Sequence, residues 1–222
     1  MAVQSRAATT RQRILDVAVD LFVENGYTET GLKDITRATN LTTGAFYYHF
    51  RSKEELADAI IEQAWPTAID LVLSYTRQPN AGLAQVIEMT FELAALFRRD
   101  TRVWIAVHLN QAFGHLSKSG RREFGERVDA FTVAVAAALS APELRADVTP
   151  GQVADLAWSL MNGFQLQSDA RCDDDAAAYD RLEGNWKVML RALVPEASLP
   201  HFDQVLSATA SHYGRQLDAR GA

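Results

Sequence analysis

The sequence predicts an all-α fold: a three-helix domain over residues 1–53, then a helical body over residues 54–222, about nine or ten helices in all. Three observations carry this. Apolar side chains recur at i, i+3, i+4 and i+7, the spacing of one helix face, through most of the 222 residues. No stretch of any length alternates apolar and polar residues as a half-buried strand would. Glycine, proline, asparagine and capping residues fall mainly between the periodic segments.

The elements follow in order. Ile14, Leu15, Ala18, Leu21 and Phe22 form one helix face, stopped by Asn25-Gly26. Thr30 stands where a cap would open a short helix carrying Leu32, Ile35 and Ala38. Asn40 is a turn residue able to take a left-handed conformation. A second short helix runs Thr43-Gly-Ala-Phe-Tyr-Tyr-His-Phe50. Ser52, followed by Glu54 and Glu55, caps a helix through Leu56, Ile60 and Ile61. Pro66 is expected to end or kink that helix unless it occupies a fresh first turn. Residues 78–82 (Gln-Pro-Asn-Ala-Gly) form a loop, and helices are expected over 83–98, 101–115 and 121–139. Thr149 caps a helix whose first turn holds Pro150 and which runs to about Ser168. The acidic stretch Asp169 to Asp175 reads as a solvated loop. Two further helices, about 176–193 and 199–217, are separated by Pro195 and Pro200.

Charge is unevenly shared. The net charge is −6, yet residues 1–53 carry seven basic side chains against five acidic, and the remainder fifteen against twenty-three. A positive surface on an acidic protein still attracts phosphate, because salt confines fields to about 10 Å or less. The lone cysteine, Cys172, excludes an internal disulfide and fits a reducing cytoplasm. The segment MAVQSRAATTRQR lacks the apolar run of a signal peptide, and no window has the roughly 18 apolar residues of a membrane helix. A cytoplasmic protein without membrane partners is therefore expected.

Three short helices, the second and third joined by a tight turn, are the anatomy of a helix-turn-helix. A helix lying in the major groove must expose small or hydrogen-bonding groups. Thr42, Thr43, Gly44, Ala45, Tyr47, Tyr48 and His49 meet that demand. Gly44 and Ala45 admit close approach of the backbone, and threonine hydroxyls and methyls suit bases or phosphates. Tyrosine and histidine tips can reach phosphate oxygens. Leu41, Phe46 and Phe50 would face inward. Tyr47 and Tyr48 are about 100° apart on a helix, so at least one points outward.

Gly26-Tyr27, Thr30, Ile35 and the run Leu41-Thr-Thr-Gly-Ala-Phe-Tyr-Tyr-His-Phe-Arg-Ser-Lys-Glu-Glu-Leu56 resemble the DNA-binding domain of TetR-type repressors, over roughly residues 10–57. The resemblance implies roles by position. Thr30 would cap the second helix and contact phosphate; Tyr47, Tyr48 and His49 would meet backbone and base edges; Lys53 would grip a phosphate from the start of the fourth helix. Two positions depart from the pattern. Thr39-Asn40 replaces the usual Ala-Gly of the turn, and Thr43 stands where lysine is frequent, which removes one phosphate partner.

In the body, Phe91, Trp104, His108, Gln111, Phe124, Trp158 and Asn162 are the candidate ligand-binding residues: large apolar groups near a few polar ones, the composition of a small-molecule site. Ordinary core packing is the competing reading for each of them. The family resemblance favours a pocket, because such repressors bind inducers within the helical body. Met89-Thr90-Phe91, Asn185-Trp-Lys-Val-Met-Leu190 and Leu193-Val-Pro195 resemble γ-butyrolactone autoregulator receptors, although the 121–139 helix holds Phe124 and Phe131 where those receptors carry a ligand-contacting tryptophan. The reading is thus a ligand-responsive repressor that binds palindromic double-stranded DNA as a homodimer and is released by a small-molecule inducer. The seam of that dimer is expected on helices 152–168 and 176–193 through Val153, Leu156, Leu160, Leu182 and Leu190. No cofactor or metal site is expected: the acidic cluster around Cys172 lacks calcium-loop spacing, and His201 and His212 are not spaced as a metal pair. The alternatives are a helix-turn-helix activator or DNA-organising factor without a ligand and, more remotely, an all-α enzyme.

Overall fold

Periodicity and punctuation locate the helices closely, and the structure supplies their bounds. The computed structural model describes residues 2–113, 118–171 and 175–218. These form helices α1 (Ala2–Asn25), α2 (Leu32–Ala38), α3 (Thr43–His49), α4 (Lys53–Thr76), α5 (Leu83–Arg99), α6 (Thr101–Phe113), α7 (Lys118–Ala138), α8 (Pro150–Arg171), α9 (Asp175–Leu193) and α10 (Leu199–Asp218). Single 3₁₀ turns occupy Ala141–Glu143 and Glu196–Ser198. The fold is all-α, as the sequence predicts, with no strand among the described residues.

The chain separates into two compact units. The first comprises residues 1–67 and 100–124, the second 68–99 and 125–222. The division falls within α4 just after Pro66, which lies inside the helix rather than at its end. Proline costs an internal helix about 3 kcal/mol or more through a lost hydrogen bond and a clash. Burial on both sides opposes that cost: Ile60, Ile61 and Ala64 precede Pro66 and Ala68 and Val72 follow, all in the core.

In the first unit, Ile14, Leu15, Ala18 and Phe22 of α1 form the core with Ile35, Phe46, Phe50 and Leu56, all nearly or fully excluded from solvent. The Arg11 guanidinium lies 4.9 Å from the centre of the Phe50 ring. One expected inward residue is corrected: Ala38 is exposed, and Thr39, four residues after Ile35, is buried in its stead. At about 100° per residue the i, i+3, i+6 row of Leu32, Ile35 and Ala38 has drifted off the inner face by Ala38, while Thr39, four beyond Ile35, stays on it.

In the second unit, Trp186 on α9 is fully buried, and its indole N–H donates to Thr90 Oγ1 of α5 at 2.8 Å. Phe91, Tyr179 and Tyr213 form an aromatic cluster in the same unit, with ring centres 5.7–6.1 Å apart. Three residues of the expected seam are not available at the surface. Val153, Leu182 and Leu190 are fully buried within this chain's own core, whereas Leu156, Leu166 and Val188 are the large apolar residues that α8 and α9 expose. The predicted acidic loop is shorter than expected, since α8 carries through Asp169 to Arg171; Cys172, Asp173 and Asp174 lie outside the described residues. No described helix is long and apolar enough to cross a membrane.

Candidate nucleic-acid interface and sensing residues

The turn between α2 and α3 is built from local hydrogen bonds. Thr39 N–H donates to Ile35 O at 2.9 Å and its hydroxyl to Thr36 O at 2.9 Å, while Asn40 N–H donates to Arg37 O at 3.1 Å. Asn40 has φ of 54°, the left-handed region that glycine adopts freely and asparagine tolerates. This accounts for Asn40 where TetR-type turns usually carry glycine. Thr42 then caps α3, its Oγ1 accepting from Ala45 N–H at 3.2 Å.

Beyond the cap, α3 is sorted by face. Phe46 and Phe50 are buried at 0% and 1% exposure, whereas Tyr47 is 46% and Tyr48 80% exposed. Thr42, Thr43 and Gly44 are also exposed, Ala45 and His49 half-buried. Both tyrosines point outward, and each is braced edge-on, Tyr47 against Phe46 and Tyr48 against His49. Beyond its chain neighbours and its own helix backbone, a Cβ placed on Gly44 would meet nothing within 4 Å. Packing therefore gives no reason for glycine there, although glycine costs a helix about 1 kcal/mol relative to alanine.

Thr30 and Lys53 sit differently from the surface roles that resemblance implies. Gly31, not Thr30, is the N-cap of α2, with Asp34 Oδ2 accepting from Gly31 N–H at 3.1 Å. Thr30 is 2% exposed, and its hydroxyl lies 2.8 Å from Gly26 O and 3.1 Å from Leu21 O. It fastens the α1–α2 loop to the end of α1. Lys53 Nζ donates to Tyr27 O (2.6 Å), Thr28 O (3.2 Å) and Thr30 O (2.9 Å), and stands 4.1 Å from the centre of the Tyr27 ring. Burial, then the charges of Glu54 and Asp58, push the Tyr27 phenol above its ordinary value, so it is neutral beside that ammonium.

The seven sensing candidates fall into both units. Trp104, His108, Gln111 and Phe124 belong to the first, and Phe91, Trp158 and Asn162 to the second. Trp104 and His108 do pair, with ring centres 4.1 Å apart and His108 Nδ1 2.8 Å from Trp104 O. Trp158 meets Phe131 edge-on at 5.2 Å, and Asn162 Nδ2 donates to Trp158 O at 2.8 Å. Gln111 and Phe124 are half-buried. Phe91 is fully buried, its ring in contact with those of Tyr179 and Tyr213.

A feature the sequence did not announce joins α1, α4 and α6 in the first unit. Arg102 NH2 donates to Asp16 Oδ1 at 2.6 Å, Gln12 donates to the same oxygen at 2.8 Å, and Gln63 Nε2 donates to Gln12 Oε1 at 2.6 Å. Beside it is a cleft of about 120 Å³, lined by Val19, Ile60, Gln63, Ala64, Thr67, Asp100, Arg102 and Val103. It contains none of the seven candidates, and sites for drug-sized ligands are larger, about 300–1,000 Å³. Asp16 and Arg102 stand 86 residues apart, so only the i, i+4 pair Gln12–Asp16 could be foreseen.

A buried-faced helix after a tight left-handed turn, presenting small and hydroxylated residues to solvent, defines a helix-turn-helix DNA-binding protein. Comparison with known proteins agrees. Residues 14–60 match the family described as "Bacterial regulatory proteins, tetR family". Across 200 residues the chain is 26% identical to the A-factor receptor protein of Streptomyces griseus, covering 90% of this chain and 68% of the receptor. It is 30% identical over 94 residues to an uncharacterized HTH-type transcriptional regulator, TtgW, of Pseudomonas putida, covering 35% of this chain and 70% of the regulator. Among solved structures, a γ-butyrolactone receptor (ArpA-like protein) superposes with a TM-score of 0.70 at 25% identity, covering 93% of this chain and 99% of that one. The TetR family protein CprB of Streptomyces coelicolor, solved with its biological operator sequence, gives 0.69 at 25% identity, covering 92% and 98%. The chain belongs to the TetR family of transcriptional regulators, proteins that bind DNA and are not enzymes.

Proposed function

We propose that the protein is a ligand-responsive transcriptional repressor that binds a palindromic operator as a homodimer and leaves it when a small-molecule inducer enters the body. The observation that carries the DNA-reading half is the α3 surface: Tyr48 is 80% exposed beside Gly44, whose backbone has nothing of the protein over it. Thr42, Thr43, Gly44, Ala45, Tyr47, Tyr48 and His49 form the reading surface. Two such helices set about 34–36 Å apart by a two-fold axis would fit successive major grooves. The exposed Leu156, Leu166 and Val188 supply apolar surface for the subunit contact.

For the inducer, the half-buried Trp104–His108 pair of the first unit and the half-buried Trp158–Asn162 pair of the second are two separate candidates, each an aromatic surface beside polar groups, which suits a small amphipathic molecule. A γ-butyrolactone is the first class to test, because the A-factor and γ-butyrolactone receptors align along most of this chain. An inducer acts only through unequal affinity for the two states, and a 100-fold preference corresponds to about 2.7 kcal/mol.

The test is a mobility-shift titration on duplexes that the wild-type protein selects from a random pool. Tyr48→Ala should weaken binding about tenfold or more with an unchanged melting temperature, and a γ-butyrolactone should release the wild type. Undiminished affinity in Tyr48→Ala would remove the reading assigned to α3.

A further inference from the structure

We infer that Lys53 positions the recognition helix from within and is not one of the phosphate contacts. An ammonium has three N–H donors. In Lys53 the three are directed at three backbone carbonyls of the α1–α2 loop, those of Tyr27, Thr28 and Thr30, at 2.6, 3.2 and 2.9 Å. The Tyr27 ring covers the charge at 4.1 Å. The loop is itself fixed: Gly26 turns it at φ 81°, and the buried Thr30 hydroxyl ties it back to Leu21 and Gly26.

The consequence lies in where these groups sit along the chain. Lys53 is the first residue of α4, whose start is set by Ser52 Oγ accepting from Glu55 N–H at 3.1 Å. The Lys53–Thr30 bond spans 23 residues. All of α2, the turn at Asn40 and all of α3 lie within that span. The ammonium therefore clasps the two ends of the DNA-reading segment together. It fixes where α3 leaves and where it returns, and hence its tilt, which a groove reads to within about an ångström. An arginine cannot do the same, because its planar fork spreads its donors instead of converging them on three carbonyls around one nitrogen.

The inference rests on the DNA-reading assignment, and the test separates the two. Full-length wild type, Lys53→Met and Lys53→Arg are titrated, from 50 to 300 mM salt, on a duplex the wild type has selected and on a scrambled duplex of equal length. If the wild type prefers no duplex, the functional reading fails and the inference with it. Where the wild type does bind, both variants are expected to lose about tenfold or more on the selected duplex, keep wild-type affinity for the scrambled one, and keep the slope of log K against log salt. A purely structural loss would weaken both duplexes together. A phosphate contact predicts the reverse pattern: a slope lower by about 0.9 in Lys53→Met, weaker binding to both duplexes, and full rescue by Lys53→Arg. That result overturns the inference. Should Lys53→Met not fold, Lys53→Arg decides alone, since retained affinity for the selected duplex refutes the clasp.

Discussion

Thr90→Val is a severe test of how the second unit is held together. Valine matches threonine in shape and is more apolar, so burial alone predicts a neutral or stabilising change. The hydrogen bonds predict the opposite. Thr90 and Trp186 are both fully buried, and the Thr90 oxygen accepts the only indole N–H while its own hydrogen goes to Ile87 O at 2.7 Å. Valine strands that N–H in the core, and an unsatisfied buried donor costs about 1–3 kcal/mol. For a chain of this length, each kcal/mol corresponds to about 2–4 °C in melting temperature, so a loss of roughly 4–8 °C is expected at the middle of that range. Thr90→Ser keeps the oxygen and gives up one methyl, worth about 0.8 kcal/mol. The stability order by thermal melting and urea titration at fixed protein concentration should be wild type, then serine, then valine. Trp186→Phe supplies the cycle: once the donor is gone, the added cost of Thr90→Val should nearly vanish. A valine variant as stable as wild type, or strictly additive losses in the double variant, would refute the reasoning.

Three further outcomes follow from the first unit. Gly44→Ala should raise the melting temperature, because alanine favours helix by up to about 1 kcal/mol and meets no neighbour, while mobility shift shows weakened operator binding; undiminished binding would mean that α3 does not approach DNA at that point. Asn40→Val should destabilise by about 1–2 kcal/mol in thermal melting, since a β-branched residue resists φ of 54°, and Asn40→Gly should not. The Asp16–Arg102 pair, with side chains 43% and 45% exposed, should give a double-mutant coupling of about 0.2–1 kcal/mol that fades in 0.5 M salt; a coupling insensitive to salt would contradict its solvated character.

The candidate site was legible where function rests on local geometry. Asn40, Thr42 and the alternation of Phe46 and Phe50 with Tyr47 and Tyr48 are settled within one turn and two helical turns of chain, so spacing alone located the exposed face of α3. Pro66 does not end α4: local rules price the lost hydrogen bond but not the burial on either side. Phe91 shows a further limit: a large apolar residue near polar ones has the same sequence signature whether it lines a pocket or fills a core, and its contacts with Tyr179 and Tyr213 came only from the fold.

The sequence by itself determined the all-α class, the order of the helices and the face of α3 that meets solvent. Each of these follows from interactions among residues a few positions apart. The tertiary structure alone decided what the Thr30 hydroxyl and the Lys53 ammonium bond to. Both are polar residues in a DNA-reading motif, and sequence leaves their hydrogens free to face outward. Folding brings the Lys53 ammonium onto carbonyls 23 to 26 residues away and encloses the Thr30 hydroxyl, because backbone oxygens in a tight loop must be satisfied wherever water is excluded. The same long-range closure set Arg102 against Asp16 and Trp186 against Thr90, pairings that no periodicity encodes.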